Sequence, residues 1–142
     1  GVKRAIDCSS AVRICVERGV PLENITMSSD GNGSMSILGD DGRPIGLLVA
    51  RLDSLRGELA ALIEREGFEL SDAVKIVTSN VADYLKLKGK GRVAEGFCAD
   101  LAMLDKKNDI VHVFAKGRRM VSDGAAIAKG VFESCPNPRI LM

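Results

Sequence analysis

The sequence predicts a mixed α/β chain, with a helix-rich segment over residues 1–88 followed by a small, mostly-β unit over 89–142. Three observations carry this. Apolar residues recur at helical spacing through the first segment. A short, partly β-branched run, "ENITMSS", sits between two of the helical stretches, as in an α/β unit. From about residue 89 the texture changes to alternating β-branched runs broken by Gly-bearing turns.

The first helix is expected over Ser10–Arg18. Ala11, Ile14, Cys15 and Arg18 share one face, and Ser9 or Ser10 is the candidate cap. Gly19 is placed to end it, with Pro21 just beyond. After "ENITMSS" comes "MSSDGNGSMS", then the turn-rich "ILGDDGRPIG", which reads as a loop or small excursion. A long helix is expected from Leu47, with Leu52, Leu55, Leu59, Leu62 and Ile63 on one stripe and Gly67 closing it. A further helix follows "FELSD", capped by Ser71, with Asp72 in its first turn and Val74, Val77, Val81 and Leu85 as its apolar face. Gly89 and Gly91 end it.

In the second segment "GKGRVAEGFCADLAMLD" reads as two short strand-like runs around a turn. "DIVHVFAKGRRMVSDGAAIAKG" carries a "KGR" turn and an Asp123-Gly124 pair, a strong hairpin signal. The tail "CPNPRILM" is expected to run extended. A lone parallel strand cannot form a sheet, so "ENITMSS" needs neighbours that this chain barely supplies.

Bulk properties narrow the function classes. At 142 residues the chain is long enough for one typical domain, and with 4% aromatics its core must be aliphatic. A net charge of +1 gives no electrostatic reason to expect nucleic acid or an anionic membrane as partner. No apolar run approaches the ~20 residues of a membrane-spanning helix. Cys8, Cys15, Cys98 and Cys135 form no C-x-x-C pair and read as free thiols of a reducing cytoplasm.

The stretch "SDGNGS" has two readings. Asp30, Asn32, Ser34 and the two glycines are common turn formers, so by composition it is first a loop. Alternatively, a carboxylate at the end of a parallel strand is where α/β barrels hold catalytic groups, and Gly31 and Gly33 would let the backbone approach a ligand. A phosphate loop is disfavoured, because no Gly-Lys-Ser/Thr follows.

"GVPLENITMSSDGNGS" resembles the eighth barrel strand of the isoaspartyl dipeptidase branch of the amidohydrolase superfamily. "IGLLVARLDSLRGELAALIEREGFELSDAVKIVTSNVADYLKL" resembles that branch's last barrel helix and the helix leading out of the barrel. "KGKGRVAEGFCADLAMLD" is similar to the superfamily's return to its small β-domain, and "VFAKGRRMVSDGAAIAKGVFE" to that domain's closing hairpin and the terminal "KG-x-FE". The resemblance covers nearly the whole chain. "SSDGNGS" with "KGVFE" is fairly specific to the branch; the middle stretch is generic to the superfamily.

The resemblance implies a fold: residues 1–88 as the last strand and helices of a TIM-like (β/α)8 metal-dependent hydrolase barrel, and 89–142 as part of a small β-sandwich domain. It implies hydrolysis of β-aspartyl (isoaspartyl) dipeptides with two divalent metal ions, usually zinc. On the matching positions, Asp30 contacts the metal–hydroxide centre, takes the proton of the attacking water and passes it to the leaving amine. Ser34, with Gly33 beside it, lies against the substrate and helps bind the carboxylate end; Gly31 and Gly33 shape the loop and do no chemistry. A homo-oligomer is implied as well.

Most of the metal site is missing here. The family needs several histidines and a carbamylated lysine from earlier strands, and this sequence has one histidine, His112, within "DIVHVF", where it reads as structural. Arg51 and Arg56 read as a solvated helix face, and Asp100 as a structural group fixing the turn into its strand. The chain is therefore expected to be a C-terminal portion, by truncation, proteolysis or partial coverage. Alone it should hold no dinuclear centre, have no peptidase activity and tend to self-associate. Two alternatives stand: another cyclic-amide or acyl-amino-acid amidohydrolase, against which Ser34 and "KGVFE" argue, and a non-catalytic β-rich assembly or binding module.

Overall fold

The computed structural model describes residues 6–130. These fall into two units that divide between Arg92 and Val93.

In the first unit, helix α1 runs Cys8–Glu17. It starts two residues before the expected position because Asp7 is the cap: its Oδ1 accepts from the Ser10 N–H at 3.0 Å. Ser9 is instead fully buried, its N–H and hydroxyl both donating to Glu58 Oε2 at 2.8 Å. The buried face is accordingly Ser9 and Val12, rotated from the expected Ala11–Ile14 stripe, and Ile14 is exposed. The end is as expected. Gly19 has φ +84°, and the N–H groups of Gly19 and Val20 reach back to Val16 and Cys15.

The expected strand "ENITMSS" does not form. Leu22–Asn24 make one 3-10 turn, and Ile25 and Met27 pack on the core without a strand beside them. Two devices replace sheet pairing. The Met27 N–H donates to the Ile76 carbonyl at 3.2 Å. The buried Asn80 side chain donates to the carbonyls of Leu22 (2.8 Å) and Ile25 (2.9 Å).

Where a loop and then a helix were expected, the chain makes a hairpin, β1 (Ser34–Leu38) with β2 (Pro44–Val49). The Asp41-Gly42 turn, with Gly42 at φ +77°, reverses the chain, and the Gly39 N–H to Arg43 carbonyl bond closes it. Helix α2 therefore starts at Ser54 and runs to Glu64. Leu62 is fully buried, and Leu59 and Ile63 pack on the core as the stripe predicts; Leu52 precedes the helix and is exposed.

The expected last helix is two: α3 (Leu70–Lys75) and α4 (Ser79–Tyr84). Thr78 leaves helical geometry (φ −129°, ψ −88°) while its hydroxyl donates to the Val74 carbonyl at 2.6 Å. Glu69, not Ser71, occupies the cap position of α3. The buried positions are Ala73, Ile76, Asn80 and Ala82 rather than the valines, because Asn80 has backbone carbonyls to bond. Lys86, at φ +55°, ends α4 ahead of the expected glycines. Val12, Leu62, Ala73 and Ile76 form the core, joined by Leu22, Ile25, Met27 and Phe68.

The second unit is a four-stranded antiparallel sheet in the order β3 (Leu101–Leu104), β4 (Ile110–Ala115), β5 (Arg118–Ser122), β6 (Ala125–Ala126). The two hairpin turns are as expected. Lys116-Gly117 and Asp123-Gly124 both have positive φ at both positions, which matches the strand twist. Of the two strand-like runs expected before Asp105, only β3 forms. Asp100 Oδ1 accepts from the Lys116 N–H at 2.7 Å, so it fixes the β4–β5 turn. The tail "CPNPRILM", Cys135 and the end of "KGVFE" lie outside the described residues. Among the described residues all strand pairing is antiparallel and no barrel closes, so the chain shows helices plus antiparallel sheets. No described helix is long and apolar enough to cross a membrane.

Candidate active site

The loop that carries Asp30 is built by its own serines and glycines. The Ser28 and Ser29 hydroxyls each accept from the N–H two residues on, at Asp30 and Gly31, both at 3.2 Å. Asp30 sits at φ +48° and Asn32 at φ +67°, the left-handed conformation that Asp and Asn tolerate better than other side chains. The Gly33 N–H then donates to the Asp30 carbonyl at 2.8 Å and closes a tight turn.

Both glycines sit at close approaches, and at Gly33 the neighbour includes backbone. A Cβ on Gly31 would meet the Leu52 side chain. A Cβ on Gly33 would lie 2.8 Å from both the carbonyl oxygen and Oδ2 of Asp30. The Asp30 carboxylate thus lies against the Gly33 α-carbon.

The loop is fastened to the hairpin. The Asn32 N–H donates to the Ala50 carbonyl, and the Ala50 N–H to the Gly33 carbonyl, both at 2.9 Å. These bonds continue the β1–β2 ladder to the foot of the turn, and Ser34 is the first residue of β1. The structure brings Asp30, Gly33 and Ser34 together on one short reversal, with Asp30 and Ser34 exposed. Among the described residues the Asp30 carboxylate has no hydrogen-bond or ion-pair partner. A solvent-facing carboxylate on a rigid, over-determined turn can accept and return a proton; a hydroxyl four residues on can donate to a ligand oxygen.

Other candidates lie elsewhere. His112 is on β4, where its Nδ1 accepts from the Asp123 N–H at 3.3 Å across the hairpin, a structural contact. Arg51 is exposed and makes a bidentate pair with Asp53 (2.8 and 2.6 Å), and this partner holds the Asp53 carboxyl below its usual range. Cys8, Cys15 and Cys98 are free. Among the described residues no three His, Cys, Asp or Glu side chains gather as a metal site. Asp30 is a single oxygen donor, so the residues present do not fit a dinuclear metal centre.

The sequence reading missed two neighbours of the turn: Leu52, against Gly31, and Val49, opposite Ser34. Asp41-Gly42 between the apolar runs "SMSIL" and "PIGLLV" is the hairpin signal that would have found them.

The amidohydrolase family model matches residues 5–120. The β-aspartyl dipeptidase of Fervidobacterium islandicum AW-1, in its complex with β-Asp-Leu dipeptide, superposes with a TM-score of 0.76 at 33% identity over 87% of this chain and 32% of that one. The N-acetylglucosamine-6-phosphate deacetylase of Thermotoga maritima superposes with a TM-score of 0.60 at 20% identity over 78% of this chain and 34% of that one, a likeness of fold. In sequence, the chain is 35% identical over 91 residues to the alpha-D-ribose 1-methylphosphonate 5-triphosphate diphosphatase of Escherichia coli K12, covering 62% of this chain and 22% of that protein. The chain thus spans about a third of these structures and about a fifth of that curated relative. On the extent of the family match, the chain belongs to the amidohydrolase family.

Proposed function

We propose that this chain is part of a hydrolase that cleaves β-aspartyl dipeptides, with Asp30 as the group that carries the proton. The observation that supports it most is the likeness to β-aspartyl dipeptidase over 87% of the chain at 33% identity, together with an unpartnered carboxylate on the Asp30–Gly33 turn. Hydrolysis of the β-linked amide moves one proton twice: off the attacking water, then onto the departing amine. A carboxylate free of internal partners can do both. Ser34 donates to the terminal carboxylate of the dipeptide, and Gly33 keeps the approach open.

In this reading residues 1–88 belong to the end of a (β/α)8 barrel and 89–142 to its small β-domain. Asp30 would contact the two divalent ions of such a hydrolase, the remaining ligands lying beyond this segment, and the enzyme works as a homo-oligomer. The 142-residue chain alone is expected to hydrolyse nothing.

The test uses the complete polypeptide that carries this segment. It should hydrolyse β-Asp-Leu, and Asp30→Asn should lower kcat by about 10²–10⁴-fold with an unchanged melting temperature. Full activity in the variant removes Asp30 from the reaction. The 35% identity to a diphosphatase over 91 residues favours one competing reading, so the same assay includes a triphosphate ester. Turnover of that ester without turnover of β-Asp-Leu would favour it.

A further inference from the structure

The β1–β2 register puts Val49 directly across from Ser34, and Leu47 across from Ser36. The Ala50 N–H donates to the Gly33 carbonyl while the Ala50 carbonyl accepts from Asn32, so Asn32 and Gly33 together face Ala50 on the hydrogen-bonding side of the ladder, as at a bulge. The next rung, Ser34/Val49, is therefore of the other kind, in which facing side chains come closest, with Cβ atoms about 4.5–5.5 Å apart. Alternation then puts Ser34, Ser36, Leu47 and Val49 on one face. Val49 is 63% exposed and Leu47 73% exposed, so within this chain that face is open. Neither strand carries a charged residue.

From this we infer that Val49, with Leu47 behind it, is the apolar wall that receives the side chain of the dipeptide's leaving residue, and so selects β-aspartyl dipeptides with an aliphatic second residue. The inference rests on the reading above, in which Ser34 bonds the terminal carboxylate. That carboxylate and the second residue's side chain leave the same α-carbon. A hydroxyl that bonds the one therefore has the other within contact distance of its cross-strand neighbour. An aliphatic side chain gains contact on this face. A charged one would lose water there and meet no partner, because the strands supply none.

The experiment measures kcat/KM of the complete polypeptide on β-Asp-Leu and β-Asp-Gly. The unmodified protein should prefer β-Asp-Leu by at least about tenfold. Val49→Thr keeps the β-branched shape but puts a hydroxyl in the wall; it should cost about tenfold on β-Asp-Leu and leave β-Asp-Gly within about twofold. Val49→Phe should fill the space and abolish turnover of β-Asp-Leu while sparing β-Asp-Gly. If both substrates fall together in both variants, or the ratio stays fixed, the wall is overturned while the dipeptidase reading stands. If the unmodified protein cleaves neither dipeptide, both readings fall.

Discussion

Of the three Asp-Gly pairs at turns among the described residues, two start from a left-handed aspartate, and they serve opposite ends. Asp123-Gly124 joins β5 to β6, with φ of +51° and +75°. Its groups are occupied: the Asp123 N–H meets His112 Nδ1, the carboxylate accepts from the Ser122 hydroxyl at 3.2 Å, and the Gly124 N–H donates to the Val111 carbonyl. Asp30-Gly31 starts from a similar left-handed aspartate, φ +48°, and its backbone N–H groups are bonded too. Its carboxylate, however, is left without a partner among the described residues. Local chemistry gives both aspartates the same backbone state. The partners supplied by the surrounding fold decide which one is structural and which is available for chemistry.

The largest test of this difference sets one aspartate against the other. In the complete polypeptide Asp30→Asn should lose about 10²–10⁴-fold in kcat, while Asp123→Asn should stay within about threefold. Equal losses would erase the distinction.

A smaller effect should separate the glycines of the Asp30 turn. Gly33→Ala drives a methyl to within 2.8 Å of the Asp30 carbonyl and carboxylate, so it should displace the carboxylate and cost about 10–100-fold in kcat. Gly31→Ala meets side chains alone, chiefly the exposed Leu52, which can swing aside, and the Ser29 hydroxyl, so its cost should be lower and Leu52→Ala should relieve most of it. Steady-state kinetics on the three variants checks the order.

On the structural side, Gly124→Ala forces a side chain onto φ +75° and should destabilise the β unit by about 1–2 kcal/mol in urea unfolding, with kcat unchanged.

A third aspartate gives the smallest effect. Asp7 caps α1, and its hydrogen bonds to Ser10, with Arg65 nearby, hold its carboxyl below the usual range; Arg65 and Ser10 do the same for Glu66. Because the folded-state pKa values lie below the unfolded ones, this contribution is present at neutral pH and fades as pH falls through them. The melting temperature of the first unit should therefore drop modestly below about pH 4, and less steeply in Arg65→Gln, as a pH series would show.

Parts of this were legible in the sequence because they depend on near neighbours. Gly19 ends α1, the Leu59–Leu62–Ile63 stripe packs inward, and "KGR" and "SDG" make their turns. The closeness of Asp30 to Ser34 is likewise fixed by a turn of a few residues. What escaped depends on distant partners. "ENITMSS" has strand propensity, yet two distant residues take its backbone groups: Asn80, 55 positions on from Ile25, and Ile76, far along the chain from Met27. "PIGLLV" continues a helical leucine spacing, yet pairs with "SMSIL" once Asp41-Gly42 turns the chain. The valines at 74, 77 and 81 look like a core face, yet Ile76 and Asn80 take that position because the carbonyls to be satisfied lie on that side.

Asn80 has a consequence for how the Asp30 turn is held in place. The chain leading to Asp30 is moored at discrete points, by one amide side chain at Leu22 and Ile25 and one main-chain bond at Met27. In deuterium exchange such a thread should behave as a row of separate rivets, with the Met27 amide slow between faster neighbours. Asn80→Leu, though far along the sequence from Asp30, should release the thread, speed exchange at that amide, and blur the aim of a carboxylate it never touches.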